Sequence, residues 1–498
     1  MLSYDLSDEQ RLFRDTVRDF AEGALAPVAE ELDREGRFPV ELVEQAAGLG
    51  LLGIPLDEEW GGAGAGTVSY ALAIEELARV DSSFAITVAA HTSLGTQPIA
   101  MFGSDEQRQR WLPELASGRG LGSFGLTEPG AGSDAGATRT TARLEDGEWV
   151  IDGTKMFITN AGTPLSRLVT ITARTGEDEV SNIVVENGTP GYEQSAPLKK
   201  MGWRSSDTRE LVFRGCRVPE GNLLGPRGQG FRQFLQILDG GRISVAALGL
   251  GMAQGAFELA LRYAKDREQF GRPIGKFQAV QFKIADMATE IDAARQLVYR
   301  AAWLKDEGRD FAQAAAIAKL YTGELARRAC NESLQIHGGY GFMDEYPISR
   351  FYRDAKVLEI GEGTNEIQRL VIAISGPYLR GRIWPGAAII AAGYGGYFLI
   401  RTRQLRRADR DGVRRLLGLH RDATYGEVLQ QVERIEPQPI TTTGRIVLVV
   451  GAVLALAAGQ VLGRFEIAAL GLLLGAAETT VRGAYHRALA TKVRDIGL

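Results

Sequence analysis

The residue in this 498-residue chain best placed to do chemistry is Glu362. It stands between two glycines in Glu359-Ile360-Gly361-Glu362-Gly363-Thr364-Asn365-Glu366-Ile367-Gln368-Arg369, shortly after Arg350-Phe351-Tyr352-Arg353-Asp354-Ala355-Lys356. Glycine has no Cβ, so a carboxylate on a glycine-flanked bend lets other backbone approach it closely. Removing a proton next to a carbonyl needs a base of raised pKa within hydrogen-bond reach of that proton. Taken alone, the segment reads equally as a surface glutamate beside a helix N-cap at Thr364.

Four upstream segments offer binding chemistry. Thr127-Glu128-Pro129-Gly130-Ala131-Gly132-Ser133-Asp134 follows the apolar stretch 121–126 and makes a tight loop whose amides can face a ligand. It lacks the spacing of a nucleotide phosphate loop, and by itself such a run is often only a turn. Gly153-Thr154-Lys155-Met156-Phe157-Ile158-Thr159-Asn160 puts an aromatic, a hydroxyl and an amide on one β-type run, suited to cover a planar ring or to fill a sheet core. The other two are Arg267-Glu268-Gln269-Phe270-Gly271-Arg272-Pro273-Ile274 with Gln278, and Gln335-Ile336-His337-Gly338-Gly339-Tyr340-Gly341-Phe342. His337 reads as a buried histidine satisfied by backbone.

The elements that must hold these segments follow an α, β, α order, an α+β class. Residues 1–118 read as helical: Ser7 and Gln10 form a capping box before Leu12, Phe13, Val17 and Phe20, and Val68 to Val80 repeats the pattern. Pro98 and Pro113 punctuate the helices that follow. Residues 119–225 carry short β-type runs and hairpin turn signals at Asp146-Gly147 and Asp152-Gly153, predicting a small antiparallel β domain. Residues 226–380 return to long alanine-rich helices over Val245 to Ala264, Phe277 to Gly308 and Phe311 to Ile336, the spacing of a bundle.

Composition narrows the partners. Hydrophobic residues at 45% and charged residues at 24% indicate globular domains, and a net charge of −5 gives no ground for a nucleic-acid partner. Two distant cysteines, Cys216 and Cys330, fit a reducing cytoplasm, and four histidines leave little room for a metal site. The N-terminus lacks a basic and apolar leader, so no signal peptide is expected. The charge divides near Arg380. Residues 381–498 hold 16 Lys and Arg against 9 Asp and Glu, and the preceding part holds 41 against 53.

TEPGAGSD, GTKMFITN, MGWRSSDTREL, REQFGRPI, QIHGGYGF and RDAKVLEIGEGTNEIQR occur in this order. Through them the chain, over residues 1 to about 378, resembles the acyl-CoA dehydrogenases, FAD-dependent enzymes that desaturate acyl-CoA thioesters. The resemblance implies an N-terminal α-helical domain, a middle antiparallel β-barrel or sandwich and a C-terminal four-helix bundle. It also implies FAD as cofactor, a homotetramer, an acyl-CoA substrate, electron-transferring flavoprotein as acceptor and a place in fatty acid β-oxidation. Phe124 to Ser133, with Leu126, Thr127 and Gly132, would form a loop around the flavin and the thioester. Phe157, Ile158 and Thr159 would line the isoalloxazine ring. Arg267, Gln269, Phe270 and Gln278 would bind the diphosphate and adenosine side, from a neighbouring subunit, together with Gln335, Gly338 and Gly339. Thr364 and Glu366 would also contact FAD. Ser133, Asp239, Arg242 and Gly363 would contact substrate.

By the same resemblance Glu362 is the catalytic base. It would take the α-proton as flavin N5 accepts the β-hydride, leaving a trans-2-enoyl-CoA. Apolar walls would desolvate the carboxyl and raise its pKa towards neutrality. Some relatives carry the base on an earlier helix, at the position held here by Gly241, which cannot serve. That departure points to short or medium straight chains, or short-branched ones. An acyl-CoA oxidase on the same scaffold and a membrane scaffold protein without turnover are the alternatives.

Residues 381–498 have no counterpart in that resemblance. Apolar runs at 385–400, 446–463 and 467–481 are separated by arginine-rich stretches. One reading is a soluble helical appendage. The other is membrane attachment through a hairpin over 446–481, basic flanks keeping both ends cytoplasmic, which would tie the protein to the inner face of the cell membrane.

Overall fold

The computed structural model describes residues 6–375; the extension, with its apolar runs 385–400, 446–463 and 467–481, lies outside the described residues. Two units divide the chain, residues 1–372 and 373–498, and the first holds every site residue named above.

Among the described residues, seven α-helices precede the first strand: α1 (Asp8–Phe20), α2 (Ala29–Glu35), α3 (Val40–Gly48), α4 (Gly66–Val80), α5 (Ser82–Ala90), α6 (Gln97–Phe102) and α7 (Asp105–Ala116). Ser7 and Gln10 form the expected capping box, each side chain accepting from the other's backbone N–H at 3.1 and 3.0 Å. Pro98 sits in the first turn of α6, where its missing N–H has no partner to lose, whereas Pro113 lies inside α7. A one-turn π-helix, His91–Thr96, joins α5 to α6.

The middle region forms one sheet in the order β6-β7-β3-β2-β4-β5-β8, with β1 (Leu121–Gly125) pairing off this path to β4. The others are β2 (Thr141–Glu145), β3 (Glu148–Thr159), β4 (Ser166–Arg174), β5 (Val180–Glu186), β6 (Tyr192–Gln194), β7 (Thr208–Pro219) and β8 (Leu223–Leu224). The sheet is not purely antiparallel, as the sequence reading expects. β1 runs parallel to β4, and Thr141 of β2 pairs parallel with Arg174. A parallel pair needs a crossover, and the long excursion through β2 and β3 supplies it.

A hairpin of β9 (Glu268–Gln269) and β10 (Arg272–Pro273) separates α8 (Gly230–Asp266) from α9 (Gln278–Asp306), followed by α10 (Ala312–His337), α11 (Pro347–Ala355) and α12 (Asn365–Ser375). α8 begins four turns before the expected Val245, running straight through Gly240 and Gly241. Each interior glycine costs about 1 kcal/mol of helix propensity, so packing decides here. Among the described residues α8 is the one helix long and apolar enough to cross a membrane, and its apolar window is 78% buried inside the fold. Its glycines admit close neighbours: a Cβ at Gly251 would meet Glu75 O of α4 at 2.1 Å. The helices before and after the sheet share one core, joining Val17, Phe20 and Leu77 to Ile243, Leu248, Val298 and Leu325.

Candidate active site

Glu362 stands on the bend between α11 and α12. The chain leaves α11 through a 3-10 turn, Lys356–Glu359, and then turns left-handed at Glu362 (φ 55°) and Gly363 (φ 87°). An L-residue with a side chain resists that conformation, so surrounding bonds must hold it. They do. Lys319 Nζ, on α10, donates to Gly363 O at 2.7 Å. Gln368 Nε2 donates to the same carbonyl at 2.9 Å and to Glu362 O at 3.3 Å. Thr364 caps α12, its Oγ1 accepting from Ile367 N at 3.3 Å.

The residue is half-buried, but its carboxyl atom Oε2 is out of solvent and has no hydrogen-bond partner. Burial pushes the carboxyl up to about 7, although the charges of Lys319 and Arg242 pull the other way. A base with a pKa near 7 suits proton removal near neutral pH. Gly241 of α8 lies directly beside it: a Cβ there would sit 2.8 Å from Oε2 and 3.7 Å from Leu94 Cδ2. Position 241 is thus adjacent to Glu362 and vacant of side chain. Arg242 is buried and ion-paired with half-buried Asp239. Tyr70 of α4 is buried with its hydroxyl donating to Ala89 O at 2.8 Å; burial raises its pKa first of all, and the Glu362 charge adds to that.

The loop after β1 is anchored from within. Glu128 turns inward and accepts from Lys155 Nζ (2.8 Å), Arg139 N (2.7 Å), Thr140 N (3.0 Å) and Thr138 Oγ1. Lys155, fully buried on β3, also donates to Leu126 O, Thr138 Oγ1 and Thr172 Oγ1, each at 3.2 Å. Burial alone would raise the Glu128 carboxyl, but Lys155 and these bonds bring it down to about 2. Thr127 O accepts from Met156 N at 2.8 Å, stitching loop to strand. Gly132 and Ser133 are left exposed at the tip. Phe124 is buried against Phe234 and Ile237, with Leu94, Leu126 and Leu238 packed around them. Leu94 thereby links this loop to the wall of Glu362.

On β3 the register with β7 shifts between Lys155 and Ile158, and Phe157 takes φ 63°. This bulge turns Phe157 outward, 65% exposed, with Thr159 half-buried nearby. Ile158 behaves differently from the sequence expectation. Its side chain is buried in the sheet core, so its service to a ligand is confined to backbone groups.

Arg267, Gln269, Gly338 and Gly339 come together around a cavity of about 510 Å³, with Tyr263, His337 and Tyr340. The Arg267 guanidinium lies 5.4 Å over the Tyr340 ring. His337 is buried, bonded through Nδ1 to Ser333 O at 2.8 Å and stacked on Tyr263, the backbone-satisfied histidine expected. Gln335, Gln278 and Phe270 are exposed and do not line the cavity; Phe270 is 94% exposed at φ 53°. Thr364 is half-buried and Glu366 exposed.

These features fit FAD. An aromatic held outward on a strained bulge, beside a loop with exposed Gly132 and Ser133, suits a flavin ring. A cavity with a guanidinium and two exposed glycines suits a diphosphate. Sequence reasoning missed Lys319, Gln368, Tyr70 and the Glu128–Lys155 tie. Lys319 left a signal, as a lone cation in the apolar run 314–320. Nothing in the sequence pairs Glu128 with Lys155.

Comparison with known proteins places these residues in context. Family models of the acyl-CoA dehydrogenase N-terminal, middle and C-terminal domains match residues 7–119, 123–216 and 228–376. A probable acyl-CoA dehydrogenase of Bacillus subtilis is 52% identical over 377 residues, 75% of this chain and 99% of that protein. Butyryl-CoA dehydrogenase of Megasphaera elsdenii is similar in structure, with a TM-score of 0.73 and 43% identity over 75% of this chain and 99% of that one. A chain in a structure of the electron transferring flavoprotein of Acidaminococcus fermentans gives 0.74 and 44%, with the same coverage.

The Glu128–Lys155 tie generates a test. Lys155→Met leaves a buried carboxylate without its cation, a loss of about 3–5 kcal/mol. A lower urea midpoint at pH 7 and faster loss of FAD are expected, and an unchanged midpoint contradicts the role. With its pKa depressed, Glu128 contributes stability above its ordinary 4.5 that is lost as pH falls towards about 2.

Proposed function

The chain belongs to the acyl-CoA dehydrogenase family, and from that premise we propose that Glu362 is the base that takes the α-proton of a short-chain acyl-CoA thioester. The enzyme is an FAD-dependent acyl-CoA dehydrogenase. The observation that carries the finer reading is the buried, partner-free Oε2 with its pKa near 7. An α C–H of a thioester is too weak an acid for a carboxylate acting alone, so the negative charge building on the thioester oxygen must be stabilised. The backbone N–H of Glu362, on the same rigid bend, is the proposed donor, worth about 3–4 kcal/mol by analogy with oxyanion holes. Bound FAD supplies the acceptor for the hydride that leaves the β-carbon. Phe157, Thr159, Gly132 and Ser133 hold the ring end, and Asp239, Arg242 and Gly363 face the substrate.

Gly241 leaves no room for a side chain beside Oε2, and the likeness to a butyryl-CoA dehydrogenase supports short or short-branched acyl groups. The product is then a trans-2-enoyl-CoA, in keeping with fatty acid β-oxidation. The likeness to a chain in an electron transferring flavoprotein structure supports such a flavoprotein as acceptor. The exposed hairpin around Phe270 supports a homotetramer in which Arg267, Gln269, Gln278 and Gln335 serve a neighbour's FAD. Reaction of the reduced enzyme with oxygen separates this reading from an acyl-CoA oxidase.

For residues 381–498 the proposal rests on sequence alone: their net +7 and apolar runs support attachment to the inner face of the cell membrane. Fractionating cells that express the full chain or residues 1–381 checks this. The full chain should need detergent; equal solubility of both refutes attachment.

Glu362→Gln should keep FAD and lose anaerobic bleaching of the flavin by butyryl-CoA about 100-fold or more. A fall of less than about tenfold contradicts the assignment. In the unsubstituted enzyme the bleaching rate should rise with pH through about 7, as the carboxyl ionises.

A further inference from the structure

Resting on Glu362 as the base, we propose that Lys319 is a positioning residue for it: its ammonium fixes the backbone of the base's bend and supplies the positive charge that faces the carboxyl.

Lys319 is fully buried on α10, in a run otherwise made of Ala, Ile and Leu. An ammonium out of water costs several kcal/mol unless charge and hydrogen bonds offset it. Among the described residues its hydrogen-bond acceptors are both neutral, Gly363 O at 2.7 Å and Asn365 Oδ1 at 3.4 Å. Both lie in the segment that follows Glu362. The compensating negative charge is Glu362 itself, the foremost charge acting on Lys319, ahead of Arg242, Glu366 and Glu359. The two groups need each other: a carboxyl without a hydrogen-bond partner at Oε2, and a cation whose hydrogen bonds go to uncharged oxygens.

A purely mechanical role does not account for a charge at this position. Gln368 is also fully buried and ties the same bend with a neutral amide, bonding Gly363 O and Glu362 O. Gly363 O therefore keeps a donor when Lys319 is replaced, and what is lost is chiefly the charge. The groups facing Glu362 are Lys319 from α10, Arg242 from α8 and Tyr70 from α4. Arg242 shares its charge with Asp239, and Tyr70 is neutral with a raised pKa, so Lys319 is the cation committed to the base.

A nearby cation favours the carboxylate, so removing it must raise the Glu362 pKa further above about 7. The acid limb of the rate profile should move to higher pH.

The experiment uses the full-length FAD-loaded enzyme and anaerobic bleaching by butyryl-CoA from pH 5.5 to 9. Lys319→Met is expected to move the acid limb up by about one pH unit. Gln368→Met is expected to lower the plateau and leave the limb in place, because it loosens the bend without altering charge. Lys319→Gln keeps a donor for Gly363 O while lacking the charge, and provides the same reading if the Met variant does not retain FAD. A limb at the same pH in the unsubstituted enzyme and the Lys319 variants overturns the proposal, whatever happens to the plateau. An unsubstituted enzyme without an acid limb near pH 7, or a Glu362→Gln variant that still bleaches, counts instead against Glu362 as the base.

Discussion

Desolvation of one carboxyl oxygen is the constraint on which the rest of this structure turns. Glu362 Oε2 is placed where water does not reach it and where no donor satisfies it. A buried polar atom without a partner is destabilising, and folds keep few of them. Here the cost is spread over several elements. Gly241 leaves the space that a side chain would fill, and Lys319 and Gln368 hold a left-handed bend that glutamate would not choose. The proposed proton transfer would give this loss of stability a purpose, since a fully solvated glutamate ionises too readily to act as a strong base near pH 7.

The Glu128–Lys155 pair solves the opposite problem. Its charges are buried and thoroughly satisfied, and the carboxylate is held firmly ionised. This difference separates a structural tie from the group proposed to react, though both involve a glutamate and a lysine. The tie joins the loop after β1 to β3, so the exposed Gly132, Ser133 and Phe157 are carried on one rigid support. Leu94 and Phe124 then connect that support to the wall of Glu362.

The helices were legible where the signals are local: the capping box at Ser7 needs only Gln10, and apolar spacing marks α4, α9 and α10. Glu362 stood out as a candidate because two glycines frame it and ordered motifs surround it. Signals that depend on distant partners were not. α8 crosses two glycines because its neighbours pack closely against it, which propensity cannot reveal. β1 pairs parallel with a strand about forty residues on, after a crossover that has no local signature. Ile158 sits in a run suited to covering a ring, yet the bulge at Phe157 sends its side chain into the sheet. Lys319 and Glu128 become meaningful only when the fold brings their partners to them.

The most direct measurement of the central claim is an infrared titration of the FAD-loaded enzyme, following the C=O stretch of protonated carboxyls. Asp354 is also buried and pushed up to about 7, so the spectrum of Glu362→Gln must be subtracted. The difference should retain one carboxyl band that fades with an apparent pKa near 7. A difference band that fades near the ordinary 4.5 would mean that Glu362 is solvated, and would contradict its role as the base.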